Sequence, residues 1–186
     1  MTGVDPLVDD VRLAVEGACA ESAEERFEVL AWRALLDVQG PRLLTRECAP
    51  AHVTASGLVL SPDARQTCLV LHRKLQRWVQ PGGHLEAGDV TVAGAAAREV
   101  LEETGLAARA VGLPALLSRH RAPCAPGVVD WHLDVQYVLV SEVTPPAVSE
   151  ESSEVAWWPV KALPEPTAWG IEELVARGTA LLRSAP

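Results

Sequence analysis

The sequence predicts an α/β fold preceded by a pair of N-terminal helices. Three observations indicate this. Two amphipathic stripes precede residue 41, a series of β-rich segments begins at residue 52, and an acidic helical segment with glutamates at 99, 102 and 103 interrupts that series. The 186-residue chain is 48% apolar, which suits one compact domain with an added helical segment and excludes a disordered chain. We expect a helical extension at residues 1–48 and the main domain at residues 49–186.

Residues 5–40 are expected to form two helices. Asp5 is a candidate N-cap with proline after it, and the apolar stripe that follows comprises Leu7, Val8, Val11, Ala14, Val15 and Ala18. Residues 22–25 show a capping-box pattern, and the stripe of the second helix comprises Phe27, Leu30, Ala31, Ala34 and Leu35. Each stripe has to be covered. We favour packing on the domain that follows, and a homodimer interface is the alternative.

The β-rich segments begin with residues 52–60 and 67–72, which turn-forming residues join into a predicted hairpin. Residues 131–141 alternate, and the polar side chains of His132, Asp134 and Gln136 are expected on an exposed face of the sheet. The other predicted segments are a short strand at 78–80 before a glycine turn at 81–83, an extended segment at 107–117, a surface loop at 119–130, a strand at 155–158 and a closing helix at 171–182.

The acidic helical segment is the most informative part of the chain. Glu99, Glu102 and Glu103 are spaced i, i+3, i+4, so a helix places the three carboxylates on one face, where they repel one another. A divalent cation offsets that repulsion. Mg²⁺ prefers oxygen ligands and commonly bridges a few carboxylates to substrate phosphates. The spacing therefore indicates a site for a metal and a phosphate.

This stretch resembles the box of the Nudix hydrolase family. Gly83 begins the match, and its helical half is complete in Arg98, Glu99, Val100, Glu102, Glu103, Gly105 and Leu106. Two positions depart from the family pattern. Asp89 stands where the family has glutamate, and eight residues rather than seven separate it from Arg98. Both departures precede the metal-binding end of the motif. We expect Asp89 or Thr91 to cap the helix, and for Asp89 we favour a capping role over a catalytic one.

The resemblance implies an α/β/α sandwich with a mixed sheet and a metal-dependent hydrolase that cleaves a diphosphate linkage in a nucleoside diphosphate derivative. It implies Mg²⁺ or Mn²⁺ as cofactor. Glu99 and Glu103, four residues apart, are the expected direct ligands, and Glu102 completes the set or binds through water. Arg98 matches the arginine that orients a catalytic glutamate. Family members take the general base from the box or from a later loop, where Glu150, Glu151 and Glu154 are the candidates, Glu154 being preferred.

Two other functions are compatible with the same resemblance. One is a Nudix-fold nucleotide-binding or regulatory module without catalysis, which the intact acidic cluster disfavours. The other is an isomerase of isopentenyl diphosphate, which needs a catalytic cysteine. Cys68 and Cys124 lack the surrounding signature of such a residue.

Substrate-binding candidates cluster around the two glycines. Gly82 and Gly83 let the backbone approach a phosphate or a metal where a Cβ would clash. Trp78, just upstream, is a candidate for stacking on a nucleobase. His132 is a candidate for contact with the ligand from the polar face of its strand.

Charge and cysteine content narrow the class of partner and the compartment. The formal net charge of −9 argues against binding a long nucleic acid and fits a small phosphorylated substrate, a nucleotide, that arrives with its metal. Neither a membrane-spanning segment nor a signal peptide is expected. The cysteines lack metal-site spacing and indicate a reducing compartment, the cytoplasm; they are Cys19, Cys48, Cys68 and Cys124.

Overall fold

The structure, a computed structural model, describes residues 6–48, 50–125, 128–150 and 152–184. Within these ranges the helices are α1 (Pro6–Gly17), α2 (Ala23–Gln39), a 3₁₀ helix (Gly40–Leu44), α3 (Val92–Thr104) and α4 (Ile171–Ser184). The strands are β1 (Ala51–Leu60), β2 (Gln66–His72), β3 (Arg77–Val79), β4 (Gly82–His84), β5 (Arg109–Ala110), β6 (Leu116–Ala125), β7 (Val128–Val140) and β8 (Ser152–Pro159). None of the helices in the described ranges combines the length and apolar character that a membrane span requires.

The strands form one mixed sheet with β1 near its centre. β1 pairs antiparallel with β2 and β4, and parallel with β7 along its whole length. β3 and β8 pair with β2, whereas β5 and β6 pair with β7. The predicted hairpin of β1 and β2 is confirmed, with Val59 opposite Cys68.

Helices cover both faces of the sheet, so the predicted sandwich is confirmed. Side chains alternate along β1. Val53, Ala55 and Val59 enter a core that also contains residues of α1, α2 and α3. Leu58 and Leu60 enter a second core with Ile171 and Leu174 of α4. We call these the α3 face and the α4 face of the sheet.

The first N-terminal helix packs as the sequence predicts. The stripe on α1 is buried in the α3-face core, and Val11 and Val15 are fully inaccessible. The Val92 amide at the start of α3 donates a hydrogen bond of 2.7 Å to Asp10 Oδ2. α1 therefore contacts the acidic helix directly. Asp5, the expected N-cap, lies outside the described residues.

The capping box of α2 is confirmed, but its predicted stripe is only partly correct: Ala31 and Leu35 pack against the α3-face core, whereas Ala34 is exposed. Phe27 and Leu30 are 68% and 61% exposed, whereas Trp32 and Leu36 are 1% and 2% exposed. The buried stripe is thus rotated around the helix from the predicted one. It places the largest side chain of α2 in the core, and Trp32 Nε1 remains satisfied because it donates to Glu28 Oε2. Burial of an indole contributes more free energy than burial of the smaller side chains on the predicted stripe.

The loop predicted at residues 119–130 is also wrong. β6 extends to Ala125 and pairs antiparallel with β7, so this segment is a hairpin. Proline lacks the amide that a ladder needs and is tolerated where the strand is irregular, and the register shifts between Pro123 and Ala125. Of the segment predicted as extended at 107–117, β5 and the first two residues of β6 are strand.

The predicted glycine turn at 81–83 is a strand instead. β4 pairs with β1, with Gly82 opposite Ser56, Gly83 opposite Ala55 and His84 opposite Thr54. A Cβ added to Gly82 would lie 2.6 Å from the Ser56 Cα. The glycines therefore allow close packing of two strands, and neither adopts the left-handed backbone of a turn.

Candidate active site

α3 carries the acidic residues and ends where the motif predicts. Thr91 caps its N-terminus, because the Thr91 side-chain oxygen accepts from the Gly94 amide at 3.0 Å. Gly105 ends the helix in the left-handed conformation (φ 69°), and its amide donates to the Leu101 carbonyl. A residue with a Cβ is strained there. α3 packs on β1 and β4, which brings its acidic residues beside the two glycines.

Arg98 is the centre of the polar contacts at this end of α3. Its guanidinium donates to Asp89 through Nε (3.1 Å) and Nη2 (3.0 Å), and to Glu99 Oε1 (2.9 Å) and Glu102 Oε2 (3.1 Å) through Nη1. Nη2 also donates to the His84 carbonyl at 3.0 Å. The hydrogen bonds with Asp89 and the charge of Glu99 raise the pKa of Arg98. One cation thus joins β4, the loop and the helix.

The expectation that Asp89 caps α3 is wrong, because its carboxylate binds Arg98. Asp89 Oδ2 also accepts from the Glu86 amide at 2.8 Å, and the Asp89 amide donates to the Glu86 carbonyl. Burial alone raises the pKa of Asp89, but the hydrogen bonds from Arg98 and Glu86 outweigh burial and hold the pKa below its usual value.

The three glutamates lie at different depths beside β4. The Glu99 side chain is 13% exposed and fills the space over Gly83, where a Cβ would lie 2.6 Å from Glu99 Oε1. Glu103 Oε1 accepts from the Gly82 amide at 3.1 Å. Glu102 is 55% exposed. These groups offer carboxylate oxygens next to the β4 backbone, the donor chemistry that suits Mg²⁺ or Mn²⁺.

The model of the NUDIX domain matches residues 50–178, more than half of the chain. The chain belongs to the Nudix family. The resemblance drawn from the box is therefore confirmed.

Individual relatives agree with the family. The mouse nucleoside diphosphate-linked moiety X motif 6 protein is 37% identical over 87 residues, which is 46% of this chain and 28% of that protein. The Nudix chain thus spans little more than a quarter of that relative. An ADP-ribose pyrophosphatase from Streptococcus suis has the same fold (TM-score 0.54, 19% identity, 72% of this chain and 93% of that one). A UDP-X diphosphatase aligns over 95% of this chain and 92% of its own (TM-score 0.52, 15% identity).

Two candidate residues lie away from α3. Trp78 is 5% exposed and packs edge-on against Trp158 in the α4-face core, with ring centroids 5.2 Å apart. The Trp78 ring therefore offers no open face to a nucleobase, contrary to expectation. Val155 and Trp157 of β8 belong to the α3 face, so alternation places the exposed Glu154 on the opposite face. Glu150 is exposed before β8, and Glu151 lies outside the described residues.

Two of the three polar residues predicted on an exposed face of β7, Asp134 and Gln136, are buried, and His132 is half-buried, which corrects that expectation. Asp134 is 3% exposed. Its carboxylate accepts hydrogen bonds from the hydroxyls of Thr54 (3.0 Å) and Ser56 (2.7 Å). It also accepts from the side-chain amide nitrogens (Nε2) of Gln136 (2.8 Å) and Gln80 (3.4 Å). A buried carboxylate is tolerated only when its oxygens are satisfied in this way. The network ties β1 to β7 and to the residue before Pro81. It thereby positions β4.

Thr54, Ser56 and Gln80 are partners of Asp134 that the sequence does not predict. A signal was present, because polar residues alternate with apolar ones in the first half of β1 as they do in β7. The parallel pairing that places the two polar runs side by side was not deducible from local sequence.

Proposed function

We propose that this Nudix protein is a divalent-metal-dependent hydrolase that cleaves a diphosphate linkage in a nucleoside diphosphate derivative. The observation that carries the proposal is the arrangement of Arg98, Glu99 and Glu103 against the bare backbone of Gly82 and Gly83. A catalytically inactive module would have no need for three like charges on one helical face. A single arginine beside them offsets only part of the repulsion.

Glu99, Glu102 and Glu103 would hold Mg²⁺ or Mn²⁺ in this proposal. When bound, the ion supplies charge neutralisation of the diphosphate and activation of a water. Arg98 fixes the rotamers of Glu99 and Glu102 through its Nη1 hydrogen bonds. The Gly82 amide orients Glu103. Precise placement of the reacting groups lowers the activation free energy of a reaction, by roughly 7–11 kcal/mol at most.

We place the general base within the box rather than on the loop before β8. Glu154 lies on the opposite face of the sheet from α3, whereas Glu103 already contacts the β4 backbone. A base has to come within hydrogen-bonding reach of the water it activates. Glu154 remains the external candidate that the experiment below tests.

The substrate we propose is a small phosphorylated molecule of the nucleotide class. Gly82 and Gly83 would contact it through their backbone. Alternation places His132, the other predicted contact, on the α4 face of the sheet, away from the α3 carboxylates, so we no longer assign it to this substrate. The net charge of −9 disfavours a long nucleic acid, but a cation in the site makes the local field attractive to a diphosphate.

The isomerase alternative is disfavoured by the cysteines. Cys68 is fully inaccessible in β2, and burial raises the pKa of its thiol to about 12. A catalytic thiol needs access and a pKa near the working pH. The side chain of Cys124 lies outside the described residues.

Cys19, Cys48 and Cys68 are free thiols, which supports our proposal of a reducing compartment, the cytoplasm. A homodimer remains the alternative partner state.

The test is a panel of nucleoside diphosphate derivatives, each with Mg²⁺ or Mn²⁺, scored for released nucleoside monophosphate. Glu103→Gln should lower kcat by roughly 10²-fold or more, because a ligand that stabilises the transition state is lost. Glu154→Gln should retain most activity, and the exposed Glu172→Gln on α4 is the matched control. Wild-type turnover by Glu103→Gln would contradict the assignment, and selective loss in Glu154→Gln would move the base to β8.

A further inference from the structure

Three histidines from three strands meet on the α4 face of the sheet. His52 of β1 lies beside His132 of β7 in the parallel register, and His84 of β4 lies two residues farther along β1, opposite Thr54. Their ring centroids are 4.9 to 5.0 Å apart. Each offers a ring nitrogen, and these nitrogens all lie within 4.8 Å of one another. Among the described residues, no other group of three or more histidines, cysteines or carboxylates brings its ligand atoms this close together.

The spacing suits one metal ion with nitrogen ligands. His84 Nε2 and His52 Nε2 are 3.1 Å apart. Two nitrogens bound to one tetrahedral zinc at 2.0–2.1 Å are separated by about 3.3 Å. The ligands stand on paired strands, which hold them in place without a large loss of entropy on binding. His52 is fully buried, and the other two rings are half-buried, so the set is not a fully exposed surface patch.

The three imidazoles are held in the neutral form that binds metals. Burial, together with the charge of Arg46 and of His52, lowers the pKa of His84 to about 4. Burial and the neighbouring histidines lower the pKa of His132 to about 3. Burial also lowers the pKa of His52, partly offset by the Cys48 backbone and the charge of Asp130. Binding at neutral pH therefore displaces few protons.

The cluster is distinct from the carboxylates of α3. Alternation along β4 directs the His84 ring to the face opposite the one that a Cβ on Gly83 would occupy, and Glu99 covers the Gly83 face. His84 contributes to both places: its carbonyl accepts from Arg98, and its ring joins the histidines. Imidazole nitrogen favours zinc and its neighbours in the transition series, whereas carboxylate oxygen favours Mg²⁺.

We propose that His52, His84 and His132 bind one transition-metal divalent cation, Zn²⁺ in preference to Mg²⁺, in a second site behind the Nudix helix. Three protein ligands leave a fourth position for water or an anionic group of a ligand. His120 of β6 packs against His132 with ring centroids 5.3 Å apart, outside the converging set, and lines the exposed side of the site.

Arg46 competes with a metal ion for His84. Its Nη2 lies 3.4 Å from His84 Nδ1, and because arginine can only donate, that nitrogen accepts and the His84 proton resides on Nε2. A metal on His84 Nε2 requires the proton to move to Nδ1 and Arg46 to withdraw. The Arg46 side chain is exposed and can do so. Replacement of Arg46 by methionine should therefore strengthen zinc binding by removing a cation and a competing hydrogen bond.

The experiment measures zinc bound to the full-length protein after treatment with chelator, dialysis against Zn²⁺ and excess Mg²⁺, and metal analysis. Co²⁺ substitution, followed by its visible absorption, reports nitrogen ligation independently of activity. Wild type should bind one equivalent, and Arg46→Met should bind it at least several-fold more tightly. His84→Gln and His132→Gln should bind less than a tenth of that amount. Glu103→Gln, and His72→Gln as a control at the end of β2, should bind as wild type does.

Three outcomes would overturn the proposal. Wild type without zinc after dialysis would show a hydrogen-bonded cluster of neutral histidines and no metal site. Equal loss in Glu103→Gln would place the ion at the carboxylates. Equal binding by His132→Gln and wild type would show surface adsorption. Circular dichroism and thermal unfolding in chelator establish that each variant is folded. The test measures bound metal and does not depend on whether the protein hydrolyses a diphosphate.

Discussion

Arg98 holds the acidic residues of α3 in a defined arrangement, and Asp89 holds Arg98. The two side chains are 22% and 7% exposed and form two parallel hydrogen bonds. Paired, partly buried charges of this geometry interact more strongly than surface ion pairs. The aspartate that departs from the family pattern therefore stabilises the site through the arginine.

The coupling of this pair is measurable by a double-mutant cycle with Asp89→Asn and Arg98→Lys. Lysine cannot reproduce the planar fork, so each single variant should lower the free energy of unfolding, and the interaction energy should be about 1–3 kcal/mol. Urea unfolding in metal-free buffer gives the four values. The pair Arg12–Asp37, whose side chains are 31% and 64% exposed, is the control and should couple by less than about 1 kcal/mol. Additive effects of Asp89→Asn and Arg98→Lys would contradict the assigned role.

β4 shows how an element is specified by what it has to fit against. A Cβ on Gly82 would meet the backbone of Ser56, and a Cβ on Gly83 would meet the carboxylate of Glu99. The first obstacle cannot move without disrupting the β1–β4 pairing, whereas the second is the end of a side chain.

The two glycines should therefore fail differently on substitution by alanine. Gly82→Ala should lower the free energy of unfolding by roughly 2 kcal/mol or more, because a packed strand pair has to separate. Gly83→Ala should cost less stability and more activity, because it displaces Glu99. Gly88→Ala is the control, since a Cβ there meets nothing within 4 Å. Thermal unfolding and kcat are the measurements, and identical profiles for the two variants would refute the distinction.

Glu25 joins α2 to α4. Its carboxylate accepts from the Ser22 amide and from Arg177, which also binds Glu173. Burial alone raises the pKa of Glu25, but the hydrogen bonds from the Ser22 amide, Arg177 and the Glu21 amide outweigh burial and lower it below the usual 4.5. A carboxylate with a lowered pKa adds stability above the pKa of the unfolded chain, and that stability is lost as the pH falls through the native pKa.

Glu25→Gln should therefore be less stable than wild type at pH 7 by about 1–2 kcal/mol. The difference should shrink in acid, where the wild-type carboxylate is protonated as well. Urea unfolding at pH 7 and at pH 3.5 measures it. Glu24→Gln, an exposed neighbour in the same helical turn, should match wild type at both values. A difference that does not depend on pH would show that the charge is not responsible.

Local sequence patterns predicted an element correctly where the pattern also matched the face that the element buries in the folded protein. The Glu99, Glu102 and Glu103 spacing gave α3, and the alternation in residues 131–141 gave most of β7. The loop predicted over β6 failed because prolines were weighed above strand pairing, which can accommodate them at an irregular register. The stripe predicted for α2 was only partly correct because two faces of that helix are apolar, and only the neighbouring core selects Trp32.

The candidate site was predictable in its chemistry but not in its surroundings. The box alone indicated Arg98, Glu99, Glu102 and Glu103. The burial of Asp134 and the meeting of His52, His84 and His132 depend on strands far apart in sequence, which no local pattern brings together. Trp78 was assigned to the substrate because an aromatic residue near a glycine pair fits a stacking role as well as a core role.

At the scale of the whole molecule, the N-terminal helices form part of the α3-face core. α1 contributes five buried residues, and Trp32, Leu36, Leu43 and Leu44 extend the same cluster. We propose the division at residue 48 as a boundary in sequence, across which packing continues.

A chain that begins at residue 49 should therefore unfold at a lower temperature or be insoluble, because the core over α3 is uncovered. Its requirement for a divalent cation should persist, since the acidic residues remain. Differential scanning fluorimetry and the hydrolysis assay measure the two effects. Equal stability of the shortened chain would show a detachable module, and lost activity with unchanged stability would place the helices at the substrate.

The pairing of β1 with β7 has a consequence for how the chain acquires its structure. Thr54 and Asp134, joined across these strands, are 80 residues apart in sequence. Contacts of such high order form late, because the intervening loop has to be closed before they contribute any free energy. During synthesis, the edge of β1 that β7 will cover has no partner until residue 140 has left the ribosome. An unpaired strand edge of that kind is prone to aggregation, so the incomplete chain is expected to be more aggregation-prone than the finished one.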